Sequence, residues 1–89
     1  YDPIYNAACN FLEERGFEDY TISIQYQHFM RKFLFVVKVG SKELDSSIIE
    51  KKLRKTEFIN ALTSVEPEFL ADVKYSIVDP ETKKVLYSF

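Results

Sequence analysis

From Tyr20 to Gln27 the chain alternates: Tyr20, Ile22, Ile24 and Tyr26 are apolar or aromatic, and Thr21, Ser23, Gln25 and Gln27 are polar. Side chains on an extended strand point to opposite faces in turn, so a period of two predicts a strand with one buried and one wet face. The next stretch, Phe33-Leu-Phe-Val-Val-Lys-Val39, is apolar on both faces and predicts the central strand of the sheet. His28-Phe-Met-Arg-Lys32 must then reverse the chain, although it holds no Gly, Pro, Asn or Asp. A single strand from Tyr20 to Val39 would far exceed the usual span of about three to ten residues. The turn leaves Phe29 and Met30 at its tip, where folding back over the sheet edge would cover them.

Helical spacing dominates elsewhere. Ile4, Ala8, Phe11 and Leu12 fall on one side of a helix predicted from Pro3 to Arg15, with Asp2 as its cap and Pro3 at its first position. Gly16 suits the left-handed residue after it, and Phe17 can close back on Leu12. Val39-Gly-Ser-Lys42 offers Gly at the first centre of a type II′ turn, which would let Lys42 to Asp45 form a short third strand. Ser47-Ile-Ile-Glu50 has the spacing of a capping box and starts a second helix. Within that helix Ile49 and Leu53 share one side, while Phe58, Leu62 and Val65 fall on the other, which requires a kink near Lys55-Thr56.

Pro67 ends the helical run, and Phe69, Ala71, Val73, Tyr75 and Ile77 alternate as a further strand. Asp79-Pro-Glu-Thr82 is a turn, with Asp and Pro in the first two places of type I. Val85, Tyr87 and Phe89 complete a hairpin. The expected fold is therefore α+β, in the order α-β-β-(β)-α-β-β. It is a mainly antiparallel sheet of four to five strands with two helices on one face.

Composition narrows the class. A chain of 89 residues, 46% hydrophobic and 16% aromatic, makes one domain with a core that needs neither disulfide nor metal. Its start at Tyr-Asp-Pro and its apolar end suit a module cut from a longer polypeptide. No apolar run approaches the roughly 18 residues of a membrane span, and the N-terminus lacks a signal-peptide layout, so a soluble cytoplasmic setting without membrane contact is expected. Cys9 is the single cysteine and reads as a packing residue.

Charge is unevenly spread. His28 to Lys55 carries eight Lys or Arg against Glu43, Asp45 and Glu50, a local +5, and the remainder carries −7. Such blocks usually keep a face solvated, and they permit an anionic partner. Catalytic and metal chemistry find little support: His28 is the only imidazole, and both glycines are explained by turns. Glu13-Glu14 and Glu18-Asp19 read as surface charge instead of an acid and base pair. Neither an enzyme nor a cofactor or small-ligand site is expected.

Residues 3 to 62 carry a resemblance. Helix, Arg15-Gly-Phe17, two strands, Lys38-Val-Gly-Ser-Lys-Glu-Leu44, Ser46-Ser47 and helix together resemble the double-stranded-RNA-binding domain. That resemblance implies a minor-groove contact from His28 and phosphate contacts from Lys51, Lys52 and Lys55.

The residues themselves point first to a non-enzymatic binding or assembly module, by protein–protein interaction or dimerisation, with double-stranded RNA as the alternative partner. Two helices can cover one face of the sheet only, and Leu34, Val36, Leu70, Val78 and Leu86 are expected on the other as the interface.

Overall fold

Residues 2–89 are described by a computed structural model, and among them the alternating segment Tyr20–Gln27 is indeed a strand, β1. It pairs antiparallel with Lys32–Gly40, β2, in unbroken register from Tyr20↔Val39 to Gln27↔Lys32. The reversal between them places Arg31 in the left-handed region, at φ 54°, where Gly or Asn is the usual occupant. Phe29 and Met30 do not fold back over the sheet edge: both stand exposed at the hairpin tip.

The first helix, α1, spans Asp2–Glu14. The cap expected of Asp2 rests on a side chain outside the described residues. At the other end Gly16, at φ 87°, donates to the Glu13 carbonyl at 3.0 Å, and the Phe17 amide donates to the Leu12 carbonyl at 3.1 Å. Those are the paired bonds of a Schellman stop, and buried Phe17 and Leu12 supply its apolar contact.

After β2 the chain departs from the expected elements at three points. Lys42 to Asp45 does not form a strand; the Glu43 amide donates to Ser41 Oγ and the Asp45 amide to Glu43 Oε1, so this backbone is held by local side chains. Gly40 makes no left-handed turn either. Its amide donates to the Asp19 carbonyl at 2.7 Å, and a Cβ at this position would meet the Asp19 carboxylate, so a larger residue would have to push that exposed side chain aside. The second helix, α2, spans Ser46–Lys52 and is capped by Asp45, whose Oδ1 accepts from the Ser47 amide at 3.0 Å and from Ser47 Oγ at 2.6 Å. A carboxylate next to Ser47 outcompetes its hydroxyl as the capping acceptor.

The expected kink is a full break. A third helix, α3, runs from Lys55 to Val65, and the chain changes direction at Leu53-Arg54. Ile49 of α2 and Leu53 just past its end enter the core from one side, Phe58 and Leu62 of α3 from the other, so two apolar sides that oppose each other on one ideal helix reach the same interior.

The crossover from Ser41 to Leu70 carries the chain over one face and back to the end where β2 began. The next strand, β3 at Ala71–Val78, must then run parallel to β2, from Phe33↔Ala71 to Gly40↔Val78. The sheet is mainly antiparallel, as expected, but not purely so: two of its three pairings are antiparallel, and the inner one is parallel because a helical crossover, not a hairpin, joins β2 to β3. Val85–Ser88, β4, returns antiparallel to β3 with a register shift at Ile77/Val78, and the strand order is β1-β2-β3-β4.

The core lies between this sheet and the helices. Phe35, Val37 and Val39 of β2 face it fully buried, with Phe33 half-buried beside them. Phe58 is the hub, edge-on to Phe11 at 5.3 Å, Phe35 at 5.6 Å and Tyr75 at 5.9 Å. Such pairs add about 0.5–1.5 kcal/mol each beyond the area they bury. No helix among the described residues is long and apolar enough to cross a membrane.

Candidate docking surfaces

The uncovered face of the sheet is mostly polar. Register sets Gln25, Leu34 and Asp72 in one row and Ser23, Val36 and Lys74 in the next. Leu34 and Val36 are half-buried neighbours flanked by polar side chains, and Lys32 forms an ion pair with Asp72 across the same face. Leu70 is exposed in the loop before β3, and Leu86 lies on β4. Val78 is only 9% exposed and lines a hollow with Asp79, Pro80 and Lys83 of the β3–β4 turn. Lys74 lies level with Val36, and Ser76 stands between it and Val78 along β3, so polar side chains separate Leu34 and Val36 from Val78.

That hollow beside Val78 has a volume of about 330 Å³, with Thr21, Lys38 and Val85 also in its wall. Asp79 Oδ1 accepts from the Glu81 amide at 2.8 Å and the Thr82 amide at 3.2 Å, and these bonds hold its carboxyl below the usual range. Lys83 reaches back to Asp19 at 3.9 Å and Lys42 to Glu81 at 2.8 Å. Among the described residues no group of three or more His, Cys, Asp or Glu is placed to hold a metal ion.

The basic residues are also spread out. His28 begins the hairpin turn, edge-on to Tyr26 at 4.9 Å. Lys51 and Lys52 end α2, and Lys52 Nζ lies 6.0 Å above the Phe17 ring, just ahead of β1. His28 and Lys52 thus belong to opposite ends of an eight-residue strand, a span of roughly 26 Å at 3.3 Å per residue. Lys55 opens α3 and borders a shallow hollow at the β3 edge with Leu34, Asp72 and Phe89.

The edge at β1 is different in kind. The Gly40–Asp19 bond fixes the phase of the ladder: odd-numbered residues of β1 bond to β2, and the N–H and C=O groups of Tyr20, Ile22, Ile24 and Tyr26 point outward. No strand of the described residues pairs with them. The side chains of those four residues lean to the helix face, and Tyr20, Ile22 and Ile24 are only half-buried there, so the helix layer stops short of the edge. Tyr5, 43% exposed, and half-buried Cys9 extend the strip from α1. Hydrogen bonding with Cys9, followed by burial, pushes the Tyr20 phenol well above its usual range. The charge of Cys9, followed by hydrogen bonding with it, raises Tyr5. The sequence shows the strand, but which strand lies outermost appears only once the sheet is assembled.

No family model matches this chain, and neither the curated proteins nor the solved structures contain a match to it.

Proposed function

We propose that this chain is a non-enzymatic protein-association module that docks through the free edge of β1. The observation that carries the reading is an outer strand of eight residues, Tyr-Thr-Ile-Ser-Ile-Gln-Tyr-Gln, with no charge, no proline and no bulge. Soluble proteins usually blunt such an edge, because its unpaired backbone groups template an added strand. Here the edge is open and flanked by Tyr5, Cys9, Ile22, Ile24 and Tyr26, so an incoming strand gains main-chain hydrogen bonds and apolar contact together.

The RNA alternative has weaker support. Lys32 and Lys42 of the basic segment already pair with Asp72 and Glu81, and His28 stands far from Lys51 and Lys52. Site-specific photo-cross-linking tests the leading reading. A photoreactive phenylalanine at Tyr26, 46% exposed, should yield protein adducts, and one at exposed Glu68 should not. Absence of adducts from Tyr26 overturns the reading. Binding of duplex RNA that weakens steeply with salt and vanishes on changing Lys51, Lys52 and Lys55 to Ala would replace it with the alternative.

A further inference from the structure

We infer that the strand added at the β1 edge is β1 of a second copy of this chain, paired antiparallel about a two-fold axis at Ser23. This rests on the docking edge proposed above and names its partner. Residues 20–26 read Tyr-Thr-Ile-Ser-Ile-Gln-Tyr, which is nearly the same in both directions. In an antiparallel pair centred on Ser23, Tyr20 lies opposite Tyr26 of the second copy, Ile22 opposite Ile24, Thr21 opposite Gln25, and Ser23 opposite itself.

The hydrogen-bond phase permits this register. Tyr20, Ile22, Ile24 and Tyr26 are the residues whose backbone groups face outward, and the register pairs each of them with another of the same set. Every such pair can exchange both N–H···O=C bonds, and Ser23 falls in a non-hydrogen-bonded pair on the axis. A pairing shifted by a single residue would set outward-facing groups opposite inward-facing ones.

Side chains agree on both faces. On the helix side the register brings tyrosine against tyrosine and isoleucine against isoleucine, covering the half-buried strip beside Tyr5 and Cys9. On the open side it aligns small or neutral polar groups, and no charge within β1 meets its own copy. A heterologous partner would need none of this two-way symmetry, whereas an isologous contact requires a surface complementary to itself. Joining two copies makes one continuous eight-stranded sheet, twice the four strands of each copy.

Disulfide trapping reads the register directly. In a Cys9→Ser background, Ser23→Cys puts two thiols across the axis, where opposed Cα atoms lie about 4.5 Å apart and within disulfide range. Mild oxidation should convert most of the chain to a covalent dimer. Thr21→Cys alone and Gln25→Cys alone should remain monomeric under reducing-free gel analysis, and an equal mixture of the two should cross-link. Ser23→Lys should raise the dimer dissociation constant roughly tenfold or more, since like charges would sit opposite each other. Ser23 is solvent-exposed in the single chain, so its melting behaviour at high dilution should hardly move. A chain that is monomeric by light scattering up to millimolar concentration, with no Ser23→Cys cross-link, overturns self-pairing. If Tyr26 then still traps a different protein, the docking edge stands with another occupant; if it traps nothing, both readings fall.

Discussion

The two edges of this sheet are built in opposite ways. β4 has only four residues, shifts register against Ile77/Val78, and is preceded by Lys83 and Lys84 in a turn pinned by Asp79. Short length, irregular register and flanking lysines are the means by which proteins discourage a strand from joining there. β1 has eight residues in unbroken register and none of those devices. Both edges belong to the same fold and meet the same solvent, so the contrast lies in how each strand is built. An edge left bare beside a half-buried apolar strip is where association costs least.

The strongest way to break the comparison is to remove the sheet that both edges share. Val37 is fully buried in β2 with its side chain toward the helices. Val37→Asp would place an unpaired carboxylate there, costing several kcal/mol against the roughly 5–15 kcal/mol that holds a domain. Circular dichroism should show no cooperative melt, and an unchanged midpoint would refute the placement of β2 at the centre.

Tyr75 tests how firmly the guarded edge is closed. Its amide and carbonyl exchange bonds with Phe89 at 2.9 and 3.0 Å, yet its buried hydroxyl finds no partner among the described residues. Burial raises the phenol above its usual range. Tyr75→Phe removes an unsatisfied polar atom, which should stabilise the domain by about 1 kcal/mol and raise its melting point by a few degrees. A lower melting point would mean that the hydroxyl is satisfied in solution.

Acid should loosen the β4 side first. Hydrogen bonds from the Glu81 and Thr82 amides lower the Asp79 carboxyl, and those from the Ser47 hydroxyl and amide lower Asp45. Since the folded value lies below the unfolded one, the stabilisation is complete above the unfolded value, about 3.9, and is lost as pH falls through the folded value. Melting points should decline below about pH 4, and Asp79→Asn should flatten part of that decline. The β1–β2 turn, His-Phe-Met-Arg, has no carboxylate to titrate. Amide exchange at acid pH should therefore rise in the β3–β4 turn before it rises in β1.

Two smaller changes sharpen the contrast. Arg31→Asn relieves a left-handed residue in the β1 hairpin and should add a few tenths of a kcal/mol without altering association, as differential scanning would show. Val36→Lys, on the polar open face, should leave association unchanged in light scattering. Loss of association in that variant would move the interface from the edge to the face.

Much of this architecture is written locally. Alternation at Tyr20–Tyr26, the two-faced apolar run at Phe33–Val39, and Gly16 with Phe17 after a helical stripe each act over a few residues, so the strands and the stop of α1 follow from the sequence. That the second helical region could not stay straight was also legible, because Ile49-Leu53 and Phe58-Leu62 could not face one core from a straight helix. The expected kink near Lys55-Thr56 is instead a break at Leu53-Arg54 between two helices. Tertiary structure decided the rest. Only the return of α2 and α3 to the starting end of β2 makes β3 parallel, and only the assembled sheet brings the Asp19 side chain against Gly40. Which side chains flank Leu34, Val36 and Val78 depends on neighbours supplied by other strands. The self-matching order of Tyr20 to Tyr26 was present in the chain throughout. It acquires meaning only when assembly leaves β1 outermost, because a strand's backbone groups can recruit a partner only where the fold has not already paired them.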